Sequence, residues 1–105
     1  MSGTSSLFDT HTHLLDRSFD ADREAVLERA AASGVGRVVE VADSPAGWSS
    51  AVALARARPC VRASLGLHPY HVGEFMAGTL VELERLIRLP EVVAVGEIGL
   101  DYSSN

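Results

Sequence analysis

Leu7-Phe8-Asp9-Thr10-His11-Thr12-His13-Leu14 places a short apolar strand directly ahead of two histidines. His11 and His13 are two residues apart, so on an extended backbone both rings leave the same face. A strand that does this can offer two imidazoles to one metal ion. A second stretch, Val92-Val93-Ala94-Val95-Gly96-Glu97-Ile98-Gly99-Leu100-Asp101-Tyr102, repeats the design with a buried-looking run of valines that leads into Glu97. In parallel α/β proteins the functional rim lies where the carboxyl ends of the strands emerge. Both stretches place their polar residues on that rim.

Between them, strand and helix patterns alternate. Leu7-Phe8-Asp9 reads as a first strand. A helix follows from about Asp22 to Ser33, with Asp20 or Asp22 as its cap, Val26, Leu27, Ala30 and Ala31 as its apolar stripe, and Gly34 as its stop. Arg37 to Val41 reads as the second strand. Ser44-Pro45 starts a second helix that carries Trp48, Ala51, Val52 and Ala55 at helical spacing to about Arg58, where Pro59 ends it. Val61 to Leu65 forms a third strand and leads into Gly66-Leu67-His68-Pro69. Thr79-Leu80-Val81-Glu82 has capping-box spacing, with Leu80, Leu83, Leu86 and Ile87 behind it, and that helix stops before Pro90. Val92 to Val95 is the fourth strand.

The order βαβαβαβ implies parallel strands joined by right-handed crossovers, an α/β class. Four such strands and three helices make half of an eight-stranded barrel or most of a small open sheet. No helix pattern follows the fourth strand to cover its outer face. The expectation is therefore the amino-terminal half of a TIM (β/α)8 barrel, with residues 1–105 forming a single partial domain.

Composition sets the outer limits. The 105 residues are 47% hydrophobic and 22% charged, which suffices for a packed core. No apolar stretch approaches a membrane span. Residues 1–6 lack the basic end and apolar run of a secretory signal. Cys60 is the sole cysteine, so an intrachain disulfide is excluded and a cytoplasmic location is the default. It reads as buried and inert. The formal charge of −5, with nine basic residues that form no block, argues against a passive DNA-binding module. Were the substrate a phosphodiester, bound cations would have to supply much of the local positive charge.

The candidate site collects on one rim. His11 and His13 follow strand one, Asp43 follows strand two, His68 follows strand three, and Glu97 and Asp101 follow strand four. Neutral imidazoles suit zinc and similar ions, and a carboxylate widens the choice toward manganese or magnesium. Asp9 is positioned to accept a ring N–H from a ligating histidine. Glu97 has two oxygens and can bridge two ions, and the flanking Gly96 and Gly99 permit close backbone approach. Asp101 fits a supporting or turn-stabilising role better than direct ligation. His68 is held extended by Pro69 and can contact substrate at the mouth of the site. His71 reads as solvent-exposed. Trp48 reads as packing, not as a platform for base stacking.

With these residues assembled, the chain resembles the TatD family of metal-dependent deoxyribonucleases, within the amidohydrolase-like TIM barrels. The resemblance rests on Phe8-Asp9-Thr10-His11-Thr12-His13-Leu14, Ala32-Ser33-Gly34-Val35, Leu65-Gly66-Leu67-His68-Pro69 and Val95-Gly96-Glu97-Ile98-Gly99-Leu100-Asp101-Tyr102, in family order and spacing. It implies that His11 and His13 ligate one metal and that Glu97 is shared between two divalent ions (Mg, Mn or Zn). It further implies that DNA is the substrate, cleaved by metal-activated water, with Glu97 central to catalysis. In the family, two further histidines and an aspartate come from later strands, and no counterpart to them is present here. Leu15 departs from an often acidic or amide position, and Tyr70 from a position where histidine is common. The expectation is little nuclease activity from these 105 residues alone. Two alternatives stand beside it: a barrel hydrolase acting on amide or ester bonds, and a non-catalytic metal-binding fragment.

Overall fold

The computed structural model describes residues 7–103, and the opening segment 1–6 read above for a signal lies outside them. Four parallel strands form one sheet in the order of the sequence: β1 (Leu7–Thr12), β2 (Val35–Ala42), β3 (Val61–Leu65) and β4 (Val92–Val95). The helices between them are α1 (Arg23–Ala32), α2 (Pro45–Ala57) and α3 (Thr79–Leu86), with short 3-10 turns at Arg17–Phe19 and Pro69–Glu74. This βαβαβαβ array is the architecture of the amino-terminal half of a TIM barrel.

Alternation along the strands divides the residues between two faces. Val61, Ala63 and Leu65 of β3 and Val38 of β2 pack against Trp48, Ala51, Val52 and Ala55 of α2, with Leu27 of α1 and Leu86 of α3 closing the core. Val61, Ala63, Leu65 and Ala51 are 0% exposed. Small alanines on α2 let the helix sit close to the sheet, and Trp48 fills the space beside them as packing, as its spacing indicates. The intervening residues Arg62 and Ser64 lie on the other face, where they share an open hollow with Phe8, Thr10, Val39 and Val93.

The elements differ from their sequence expectations at definite points. β1 runs on to Thr12, so His11 lies within the strand and only His13 follows it. The valines of β4 are not buried as a run. Val92 joins the core opposite Ala63, but a register shift then pairs Ala94 with Ser64 and Val95 with Leu65, which breaks the strand's alternation and leaves Val93 and Val95 54% and 46% exposed. Asp22 occupies the cap position of α1 without a side-chain hydrogen bond, and Asp20 holds Arg23 at 2.7 Å instead. Ala31 of the expected stripe is exposed. Gly34 adopts φ 102 and ends α1, a conformation costly for any residue with a Cβ. Thr79 is the first residue of α3 rather than its cap. Its Oγ1 accepts from the Met76 amide at 2.8 Å, and Glu82 pairs with Arg85. Leu80 is exposed outside the core. Cys60 is half-buried at the core's edge, less enclosed than expected. Among the described residues, no helix is long and apolar enough to cross a membrane.

Candidate metal centre

The first two candidate ligands reach their positions through an irregularity in β1. Asp9 pairs with Val38, and Thr12 pairs with Glu40, so β1 uses one more residue than β2 over the same span. An extra residue of this kind kinks a strand and re-aims its side chains. His11 and His13 therefore do not share a face through strand alternation alone. The bulge and the turn after Thr12 bring the two rings together, with their Nε2 atoms 3.2 Å apart.

His13 is further fixed by its other nitrogen. Nδ1 lies 3.1 Å from the carbonyl oxygen of Val41, which can only accept, so Nδ1 carries the proton. Nε2 is then left with its lone pair directed at the site. A ligating histidine is normally oriented through its second nitrogen in this way. Asp9, expected to accept a ring N–H, accepts the backbone N–H of His11 at 3.2 Å, so it braces the strand and not the ring.

Glu97 comes from the far end of the sheet. The Gly96 amide donates to Leu65 O at 2.9 Å, continuing the β3–β4 ladder, and Ser64 Oγ donates to Gly96 O at 3.0 Å. Gly66 then packs directly on the Gly96–Glu97 peptide. A Cβ at residue 66 would lie 2.6 Å from Glu97 O and from Gly96 C, so only glycine fits. Trp48 Nε1 donates to Gly66 O at 2.8 Å and holds that residue from the core side. The result places Glu97 Oε1 3.7 Å from His11 Nε2. One ligand atom each from His11, His13 and Glu97 lies within 4.8 Å of the others. Two imidazoles with inward nitrogens and a carboxylate form a donor set that fits a divalent transition cation.

His68 joins this group. The Tyr70 amide donates to His68 Nδ1 at 3.0 Å, which makes Nδ1 the unprotonated nitrogen and leaves the hydrogen on Nε2. That N–H sits 3.5 Å from Glu97 Oε2, on a side chain only 19% exposed. His68 is thus a donor facing the carboxylate, oriented by the Pro69 turn. His71, expected in solvent, is held instead between Glu74 Oε2 at 2.6 Å and Asp43 Oδ1 at 3.8 Å. Asp43 therefore faces His71 and not the three-residue group. Asp101 takes the Ser103 amide at 2.7 Å, and hydrogen bonds from Ser103 hold its carboxyl below the ordinary aspartate range. Its place in the turn matches the stabilising role read from sequence.

Two residues that sequence reasoning passed over surround His13. Glu40 is buried on β2, and Arg23 donates from α1 to Leu14 O at 2.5 Å. A lone carboxylate inside Val38-Val39-Glu40-Val41 was the available signal for the first. Beside them an open cavity of about 540 Å³ adjoins His13, with Asp16, Asp43 and Ser44 on its wall.

Comparison with known proteins places this chain among relatives. The family model described as "TatD related DNase" matches residues 8–105. The chain is 34% identical over 100 residues to the 3'-5' ssDNA/RNA exonuclease TatD of Erwinia tasmaniensis, a match covering 94% of this chain and 39% of that protein. It is 43% identical over 99 residues to the uncharacterized metal-dependent hydrolase TatD of Mycobacterium tuberculosis, covering 90% and 37%. The crystal structure of YjjV, a TatD homologue from Escherichia coli K12, superposes with a TM-score of 0.87 at 38% identity, covering 94% of this chain and 39% of that one. The chain therefore spans about two fifths of the length of the curated relatives it matches.

Proposed function

The chain belongs to the TatD-related DNase family, and we propose that His11, His13 and Glu97 hold a divalent cation in a metal-dependent hydrolase centre acting on the phosphodiester bonds of DNA. The observation that carries this reading is the convergence of the three ligand atoms within 4.8 Å, with the His13 tautomer already set by Val41 O. Such a cation, when bound, supplies Lewis-acid polarisation of a phosphoryl oxygen and lowers the pKa of water.

The chain's own residues bind, orient and donate. His11 and His13 present their Nε2 atoms, 3.2 Å apart. Glu97 offers Oε1 beside His11 and keeps Oε2 beside His68, so its two oxygens face different neighbours and suit a carboxylate shared between two ions. The His68 Nε2–H, which faces Glu97 Oε2, is the donor this reading assigns to a phosphate oxygen of the substrate. Two divalent ions (Mg, Mn or Zn) per complete site, a DNA substrate and a cytoplasmic setting make up the full reading. The relatives named as exonucleases act on single-stranded DNA or RNA, which makes single-stranded DNA the first substrate to offer. Three protein ligands fall short of a two-ion site, so the 105-residue chain alone has little nuclease activity.

The test is cleavage of a 3'-labelled single-stranded oligonucleotide by the purified chain with Mg²⁺ or Mn²⁺, beside direct metal titration. The reading predicts stoichiometric metal uptake that His13→Ala weakens at least about tenfold, with cleavage near background. Equal metal uptake by wild type and His13→Ala contradicts the assignment of the ligands. Robust cleavage by the wild-type chain that His13→Ala abolishes contradicts the expectation of low activity.

A further inference from the structure

We infer that Glu40 is the positioning residue of this centre: its buried carboxylate grips the turn that carries His13 and holds that ring in its metal-facing pose. The inference rests on the metal-centre reading above and goes beyond it to a residue whose hydrogen bonds go to the main chain and to Thr12, not to the ligand atoms.

Glu40 is 2% exposed on β2, in a strand whose neighbours are valines. A buried carboxylate is tolerated when its oxygens are satisfied by hydrogen bonds. Here every partner belongs to one short segment. Leu14 N–H donates to Oε1 at 2.6 Å, Leu15 N–H donates to Oε2 at 2.9 Å, and Thr12 Oγ1–H, whose shorter contact is to Val39 O, lies 3.2 Å from Oε1. These residues bracket His13 on both sides. The next residue of β2, Val41, supplies the carbonyl that fixes the His13 tautomer. Two adjacent positions of one strand thus hold the His13 main chain and the His13 ring. Arg23 adds to the clamp from α1, donating to Leu14 O at 2.5 Å and reaching Asp16 O at 3.5 Å.

The arrangement has a mechanical reason. β1 ends at Thr12, so the ladder to β2 no longer holds the backbone of His13. Without Glu40 the Leu14 and Leu15 amides would have no acceptor in the core, and the turn would be free to shift. A carboxylate with two oxygens satisfies two consecutive amides at once. An amide side chain has a single acceptor oxygen, and its NH2 end would oppose whichever of the two amides it faced.

Glu40→Gln tests this, because it keeps size and burial while setting an NH2 group against one of the two amides. The metal-free readout is the ring ¹⁵N–¹H correlation spectrum of the histidines, in which wild-type His13 should appear as a single tautomer with a protected Nδ1–H. The inference predicts that Glu40→Gln exposes that proton to exchange and mixes the tautomers, while His68 keeps its signature. It further predicts a Zn²⁺ dissociation constant raised about 10- to 100-fold, the range seen when groups that orient ligands are lost. Should Glu40→Gln fail to fold, Glu40→Asp retains the charge but falls one methylene short, and should show the same changes to a smaller degree. A His13 ring spectrum and Zn²⁺ affinity identical to wild type in a folded Glu40 variant overturn the inference. If wild type takes up no Zn²⁺ but Glu40→Gln still frees the His13 ring, the positioning role stands and the metal reading fails.

Discussion

Gly66 shows how much of the candidate centre depends on single residues away from the proposed ligands. Its missing Cβ lets the β3–α3 connection press against the Gly96–Glu97 peptide at distances no side chain tolerates. Gly66→Ala must push that peptide, and Glu97 with it, away from His11. The expected cost is about 1–3 kcal/mol of stability, in line with overpacking elsewhere, and is read by urea denaturation, with weakened metal uptake beside it. Trp48→Phe is the companion change. It keeps the aromatic packing but strands Gly66 O without its 2.8 Å donor, at an expected cost of about 1–3 kcal/mol. The convergence of the histidine pair, Glu97 and His68 was legible in the sequence because polar residues placed just after apolar parallel strands gather on one rim. Gly66, Glu40 and the bulge at Thr10–His11 were not. Each works through a tertiary neighbour far away in sequence, and a single sequence does not reveal such pairings.

At the scale of elements, the alternation of strands and helices was readable nearly to the residue, since β2, β3 and α2 keep their apolar periods against one another. Errors fell where a second solution competed with the local signal. Thr79-x-x-Glu82 has the spacing of a capping box, yet Thr79 Oγ1 turns back to Met76 N, and Glu82 prefers the Arg85 guanidinium at 2.7 Å. Likewise Arg56 ties the carboxyl end of α2 to the start of β4 through Glu91 at 3.1 Å. The hydrogen bonds from Arg85 and Arg56 hold Glu82 and Glu91 below the ordinary glutamate range. Both carboxylates therefore bind protons more weakly folded than unfolded, so their contribution is present above the unfolded value and fades as pH falls through the lowered one. The melting temperature should decline on acidification below the ordinary carboxylate range. Glu91→Gln should flatten part of that decline, as calorimetry across pH can register.

For the molecule as a whole, the helices cover one face of the sheet. Phe8, Val93 and Val95 remain 48%, 54% and 46% exposed, and β1 and β4 each have one strand neighbour among the described residues. Apolar groups gathered beside free strand edges favour association with other polypeptide or with hydrophobic dyes. The isolated chain should bind anilinonaphthalene sulfonate and self-associate with rising concentration, and Val93→Lys should reduce both in fluorescence and sedimentation velocity. The opposite end of the sheet concentrates chemistry, since His11, His13, His68 and Glu97 all meet at the carboxyl ends of the strands. That division follows from topology alone, which is why the sequence foretold this gathering of side chains while leaving its supports unread.

The most direct test is the metal content of the purified chain across its size-exclusion peak, beside a His11→Ala/His13→Ala variant of matching far-ultraviolet circular dichroism. A centre built as described predicts about one divalent ion co-eluting with each wild-type chain and metal-free variant protein. Wild-type chain that elutes compact and metal-free, or a variant that retains the same ion, contradicts the assignment of His11, His13 and Glu97 as a metal centre.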